Sequence, residues 1–258
     1  LTEADTFTAL AGIETYVLDD AGASNITVLA ATDVTTIAAA VDTITFTGAA
    51  FTGTYTNVEA DDTLVVVDDT DISGATGLDL GILDFADTAA DITLDAAQNG
   101  ALSVTNTTNA QSITLTEADT FTALAGIETY VLANAVNSVI AAAAAQAITL
   151  SGGTNTIQPN DGFIVTVTNF VSGTDKIALG GGTDAVVSSN VAGIGGGVNF
   201  IVDTSEAAWA LVNDAAINYA YDSTAGTLFF DADGDWTGGS VQIGKIGANL
   251  IGTDFLIG

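Results

Sequence analysis

The sequence predicts an all-β fold, a parallel β-solenoid, and three observations favour it. The stretch LTEADTFTALAGIETYVL occurs twice without a difference, at 1–18 and at 115–132. Thr and the β-branched apolar residues are abundant, and Pro occurs once in 258 residues. Most of the chain alternates short apolar runs with Asp, Asn and Gly. Repeated short β units that bury one side against the next unit are typical of solenoids. Uneven spacing between the units leaves tandem β-sandwiches as the alternative.

Nine segments predict strands along the chain. Each is short, several alternate polar and apolar side chains, and most are bounded by turn-forming residues. The predicted strands are 26–29, 43–47, 63–67, 91–94, 102–105, 112–116, 128–132, 147–150 and 163–168.

A looser motif recurs among these strands. It consists of Val or Ile, then an acid, then an apolar β run. It occurs at 10–18 (LAGIETYVL), 38–46 (AAAVDTITF), 56–66 (TNVEADDTLVV) and 124–132 (LAGIETYVL). Similar turns of this kind predict strands stacked in consecutive layers.

Helix is predicted at one place. In SEAAWALVN (205–213), Ser205 can cap the first turn and Glu206 suits the positive end of a helix. The run AAAAA at 141–145 is too short to form a helix alone. The composition changes near Gly152, after which glycines cluster at 180–182 and 193–197. We therefore predict a Thr/Ala-rich β repeat region over 1–150 and a second β region over 151–258.

Acidic residues dominate the charge. There are 32 Asp and Glu residues against Lys176 and Lys245, which gives a formal net charge of −30. This balance excludes nucleic acid and anionic membranes as partners. Because two lysines cannot pair so many carboxylates, Ca²⁺ is the expected counter-charge. The chain has no His and no Cys, so Ser/His, Cys/His and zinc chemistry are unavailable and we expect no enzyme.

One candidate calcium site lies in DADGDWTGG. Asp231, Asp233 and Asp235 form D-x-D-x-D, the pattern of the first half of an EF-hand loop. Trp236 stands where that loop needs glycine, and Gln242 stands at its twelfth position. The alternative is a hydrated hairpin turn, which favours Asp and Gly for backbone reasons.

A second candidate site is the cluster Asp68, Asp69 and Asp71 in VVVDDTDISG. Chance clusters are common in so acidic a chain, so a solvated surface is the alternative. Asp175 in GTDKI is a further candidate ligand, for which a turn role is an equal alternative.

Ordered pieces of residues 148–258 resemble the hemolysin-type (RTX) family of secreted calcium-binding proteins. VTVTNFVSGTDKIAL (165–179) resembles the element DF-x-x-G-x-DKI-x-L that closes their β-rolls, with Asn169 at the first Asp. LSGGTNTI (150–157) resembles an eroded copy of their glycine-rich nonapeptide. YDSTAGTLFFDADGDWTGGSVQIGKI (221–246) and LIGTDFLI (250–257) are similar to their C-terminal cap. Residues 1–147 resemble the repeats of bacterial surface-layer and adhesin proteins by composition.

The resemblance implies β-roll-like repeats closed by a C-terminal β cap, bound Ca²⁺, and type I secretion to the bacterial cell surface. We therefore expect a structural protein that self-assembles into a surface layer or filament, with a surface polysaccharide as its anchor. A homo-oligomer is the expected partner. The rival class is an adhesin that binds a ligand through the loops of 180–197. A polysaccharide-active β-helix enzyme, using paired carboxylates, is a third.

Overall fold

The computed structural model describes most of the chain. The described residues are 6–10, 13–18, 22–29, 33–36, 41–48, 50–67, 69–78, 81–86, 91–105, 111–116, 120–124, 126–132, 139–141, 146–159, 164–179, 200–203, 219–231 and 236–257.

The fold is a β-solenoid built from parallel sheets, which confirms the predicted fold class. Parallel pairing also separates it from the sandwich alternative, whose sheets are antiparallel. The chain divides into two compact units, Leu1–Glu117 with Leu124–Thr129, and Ala118–Ala123 with Tyr130–Gly258. The region boundary predicted near residue 150 stays a prediction.

Twelve described strands and one helix lie in the first unit. In chain order they are β1 (Thr6–Thr8), β2 (Thr15–Leu18), β3 (Asn25–Val28), β4 (Asp33–Thr36), β5 (Thr43–Phe46), β6 (Tyr55–Thr56), β7 (Thr63–Val66), β8 (Thr70–Asp71), β9 (Ile82–Phe85), β10 (Asp91–Leu94), α1 (Ala96–Ala101), β11 (Ser103–Thr105) and β12 (Ser112–Leu115).

Alternate strands of this unit pair with one another, so each turn of the chain adds one strand to each face. One sheet has the order β1-β3-β5-β7-β9-β11, a second has the order β2-β4-β6, and β8, β10 and β12 are neighbours in a further sheet. Register partners lie about one turn apart in sequence, as in Thr6 with Asn25 and Asn25 with Thr43. The first of these steps is 19 residues, and six such steps equal the 114 residues between the identical segments.

Apolar columns fill the inside of the first unit. Successive register partners Ile26, Ile44, Leu64 and Leu83 are each 0% exposed. Beside them, Phe46 packs edge-on against Phe51 at a ring-centroid distance of 4.9 Å. Burying an aliphatic side chain completely contributes roughly 1.5–3 kcal/mol. Stacking like on like in this way explains why the pattern of alternating Thr and aliphatic residues forms strands.

Helix α1 begins with a capping box. The Gln98 N–H donates to Asp95 Oδ1 at 2.7 Å, and the Asp95 N–H donates to Gln98 Oε1 at 3.0 Å. The Gln98 side-chain amide also donates to the carbonyl oxygens of Ile72 and Ala75. These bonds hold the helix against the turn that precedes it.

The second unit contains the remaining described strands. They are β13 (Thr120–Thr122), β14 (Thr129–Leu132, whose first residue belongs to the first unit), β15 (Val139–Ala141), β16 (Ala147–Thr149), β17 (Thr156–Gln158), β18 (Val165–Thr168), β19 (Lys176–Leu179), β20 (Phe200–Asp203), β21 (Tyr219–Asp222), β22 (Thr227–Phe230), β23 (Val241–Ile246) and β24 (Phe255–Ile257). The order β13-β15-β17-β19-β24 forms one sheet, and β14, β16, β18, β23, β22, β21 and β20 follow one another in another.

The C-terminal part of this unit departs from pure parallel pairing. β21 pairs antiparallel with β22, and β22 pairs antiparallel with β23. The hairpin turn after Asp222 is fixed by its side chain, whose Oδ1 accepts from the N–H groups of Thr224 and Ala225. The Tyr221 hydroxyl donates to the carbonyl oxygens of Ile246 and Ala248. This antiparallel group is the C-terminal β cap that the sequence predicts.

All nine predicted strands coincide with observed strands to within two residues at each end. The helix predicted over 205–213 lies outside the described residues, whereas α1 was not predicted from the sequence. The run at 141–145 begins as the last residue of β15, and its other residues are not described. No helix among the described residues has the length and apolarity needed to cross a bilayer.

Candidate functional site

Carboxylates that precede strands form hydrogen bonds from one turn of the solenoid to the next. We name these residues the carboxylate ladder; its described members are Asp42, Asp62, Glu128, Asp175 and Asp254.

The ladder is clearest in the first unit, where three turns are joined in succession. The Ser24 N–H donates to Asp42 Oδ1 at 2.9 Å, and the Asp42 N–H donates to Asp62 Oδ1 at 2.8 Å. The other carboxylate oxygen of Asp62 accepts from the Glu59 N–H at 2.8 Å. Asp42 and Asp62 are 2% and 1% exposed. Buried carboxylates need such partners, and each in turn satisfies a buried backbone N–H.

Asp175 occupies the equivalent place in the second unit. Its Oδ1 accepts from the backbone N–H of Asn155 at 2.8 Å and from the Asn155 side-chain amide at 3.2 Å. Its Oδ2 accepts from the Val171 N–H at 2.8 Å, and the residue is 1% exposed. Both oxygens of this predicted calcium ligand are therefore engaged by protein donors. These bonds account for Asp175 without a metal.

Asp254 repeats the arrangement below β24. Its Oδ1 accepts from the Gly173 N–H at 2.6 Å, and its Oδ2 accepts from the Ser172 hydroxyl at 2.7 Å and the Ile251 N–H at 2.9 Å. The sequence analysis did not single out Asp254, Asp42 or Asp62. The signal was present in the recurring motif, because its acid stands directly before the strand in VDTITF and in DDTLVV.

The other predicted calcium ligands are only partly described. Asp69 is exposed, and its Oδ1 accepts from the Asp91 N–H at 3.4 Å. Asp71 accepts at Oδ1 from the backbone N–H and the hydroxyl of Ser73, as a turn-forming aspartate does. Asp231 is buried, at 1% exposed. Asp68, Asp233 and Asp235 lie outside the described residues.

The part of the chain that the structure describes contains no group of three or more acidic side chains placed to hold one metal ion. The described candidates do not converge: Asp175 is enclosed by backbone donors, and Asp71 is engaged by its own turn. An internal calcium site at D-x-D-x-D or at the Asp68 cluster therefore stays a prediction. The glycine-rich segments 180–182 and 193–197, on which the adhesin alternative depends, also fall outside the described residues.

The two identical segments fold alike but differ in exposure. Both form the strands TFT and TYVL, as β1 and β2 in the first copy and as β13 and β14 in the second. Ile13 of the first copy is 48% exposed, whereas Ile127 at the same position of the second is 1% exposed. Tyr130 is 0% exposed, and its counterpart Tyr16 is only half-buried. The first copy therefore presents an apolar surface that the same residues bury elsewhere in the chain.

One buried titratable group lies in the core of the first unit. Tyr55 is 2% exposed and its ring lies 5.6 Å from that of Phe46. Its hydroxyl has no hydrogen-bond partner among the described residues. Burial, and to a smaller extent the negative charge of Asp33, raise the pKa of Tyr55 well above its ordinary value.

Comparison with known proteins leaves the fold as the only basis for classification. No protein family, no curated protein and no solved structure matches the chain. The class that the structure defines is the parallel β-solenoid with an antiparallel C-terminal cap.

Proposed function

We propose that this chain is a structural extracellular protein that self-assembles into a surface layer or filament, with calcium promoting the assembly. The observation that carries the proposal is the open edge of the solenoid. Among the described strands, β1 pairs only with β3, and β2 pairs only with β4. Edge strands of this kind present unpaired backbone groups to another chain.

Repetition supports the same function. Each turn of the first unit buries its apolar residues against its neighbours, and its described polar ladder is used for holding turns together. Such a framework is rigid along its length and interacts with neighbours mainly at its ends and faces. These properties suit a load-bearing subunit.

Charge supports a role for cations. A net charge of −30 makes two copies repel one another at low ionic strength. Exposed carboxylates such as those of Glu14, Asp61 and Asp69 give the surface oxygen groups that calcium prefers. The proposal places calcium between copies, and it assigns no site inside one copy. Extracellular calcium is present at concentrations that suit weak sites of this kind.

Light scattering during a calcium titration tests the function. The purified chain is expected to scatter more strongly as calcium rises to millimolar levels and to return to its initial state in chelator. Sodium chloride at matched ionic strength is the control, because screening alone acts on any negative surface. Scattering that ignores calcium, or that rises equally with sodium, would remove calcium from the proposal. A chain that stays monomeric in every condition would overturn self-assembly itself.

A further inference from the structure

We propose that the described residues of the first turn, 6–10 and 13–18, are a docking surface for a second copy of this chain. The inference rests on the proposed self-assembly and names the surface that it uses. The first turn carries Leu10 at 67% exposed and Ile13 at 48% exposed, next to the open strand β2.

The chain itself shows what covers a turn of this sequence. In the identical second copy, the Gln111 N–H donates to Glu128 Oε2 at 2.8 Å, and the Thr129 N–H donates to the Gln111 carbonyl oxygen at 3.2 Å. Ile127, one residue before Glu128, is buried. The covering element is thus an extended segment of the same chain, which uses its backbone to contact the acid and the strand that follows it.

The first copy carries the same groups at the same positions. Glu14 corresponds to Glu128, and Thr15 corresponds to Thr129, because the two segments are identical. Glu14 is exposed. A strand of a second copy, placed as Gln111 is placed, would donate its N–H to the Glu14 carboxylate and accept from the Thr15 N–H. The same approach would cover Ile13 and Leu10.

A second copy is the occupant that this evidence selects. The surface is complementary to a solenoid turn, as the interior copy demonstrates, and the docking continues the turn-on-turn stacking of the first unit. The contact adds one more layer to sheets that already stack parallel strands. Copies joined by unlike surfaces form open filaments, whereas a contact between two first turns gives a closed dimer.

Thiol protection tests the surface directly, because the natural chain has no cysteine. In Ile13→Cys, the single thiol is expected to react with a soluble thiol reagent on the order of tenfold more slowly in assembling conditions than in chelator. The matched control is Ile164→Cys, which replaces another exposed Ile, 43% exposed, in the second unit. Its reactivity is expected to be the same in both conditions.

A second pair of variants measures the contribution of the surface. Leu10→Gln with Ile13→Gln removes apolar area without changing charge, and is expected to weaken association on the order of tenfold in sedimentation velocity. Ile164→Gln with Val241→Gln is the control at two other exposed residues. Assembly of the wild type with equal reactivity of both thiols, or with equal association of both double variants, would overturn the docking surface alone. No association of the wild type would overturn the proposed function with it.

Discussion

Asp175 gives the sharpest test of the ladder, because it is a predicted calcium ligand whose oxygens are both engaged by protein donors. In Asp175→Asn, one oxygen becomes an NH₂ group that faces the N–H of Asn155 or of Val171. One buried N–H is left unsatisfied and two charge-assisted bonds are weakened, so we expect a loss of about 2–4 kcal/mol in the free energy of unfolding. For a chain of this size, that loss lowers the Tm by roughly 5–12 °C.

Thermal unfolding monitored by circular dichroism, in chelator and in calcium, measures this effect. The expected loss is the same in both conditions, because the ladder needs no metal. Asp61→Asn is the control: this neighbouring acid is exposed, and its substitution should change stability by under about 0.5 kcal/mol. A variant that matches the wild type in chelator but is weaker in calcium would show that Asp175 binds the metal and would refute the structural role.

Three further changes test the packing. Ile127→Ala should cost about 2–5 kcal/mol and Ile13→Ala under about 1 kcal/mol in denaturant unfolding, although the local sequences are identical, because Ile127 is 1% exposed and Ile13 is 48% exposed; equal losses would contradict the difference in burial. Tyr55→Phe should stabilise the fold by about 1 kcal/mol at neutral pH, because the hydroxyl is buried without a described partner. The raised pKa of Tyr55 means that its contribution is intact below the ordinary value of 10.0 and is lost as pH rises above it, so the variant should retain more stability than the wild type in alkaline unfolding curves; parallel curves would contradict this. Gly77→Ala should abolish or severely weaken folding, because a Cβ would stand 1.7 Å from the Tyr55 carbonyl oxygen at a φ of +80°, whereas Gly100→Ala meets nothing within 4 Å in α1 and should stabilise by about 0.5–1 kcal/mol; similar thermal melts for the two variants would contradict the close approach.

Period-two alternation made the strands predictable from the sequence. In TITF (43–46) and TLVV (63–66), the inward residues are fully buried and the Thr residues face outward. The observed strands of two residues, β6 and β8, are too short to show any alternation. Helix α1 carries a capping-box sequence, Asp95 with Gln98, but its six residues include a glycine and show no apolar face.

Two features of the candidate site depend on contacts far apart in sequence. The ladder acids stand beside apolar runs, yet acidic residues are rarely buried, so composition favours an exposed reading for Asp42 and Asp62. Burial follows only once the preceding turn supplies a backbone N–H to each carboxylate. The unequal exposure of Ile13 and Ile127 lies beyond any local pattern, because eighteen identical residues surround both.

Electron microscopy of the purified chain, in calcium and in chelator, tests self-assembly most directly. The account predicts ordered filaments or sheets in calcium, their loss in chelator, and their return when calcium is restored. Single particles of one chain in both conditions would contradict it.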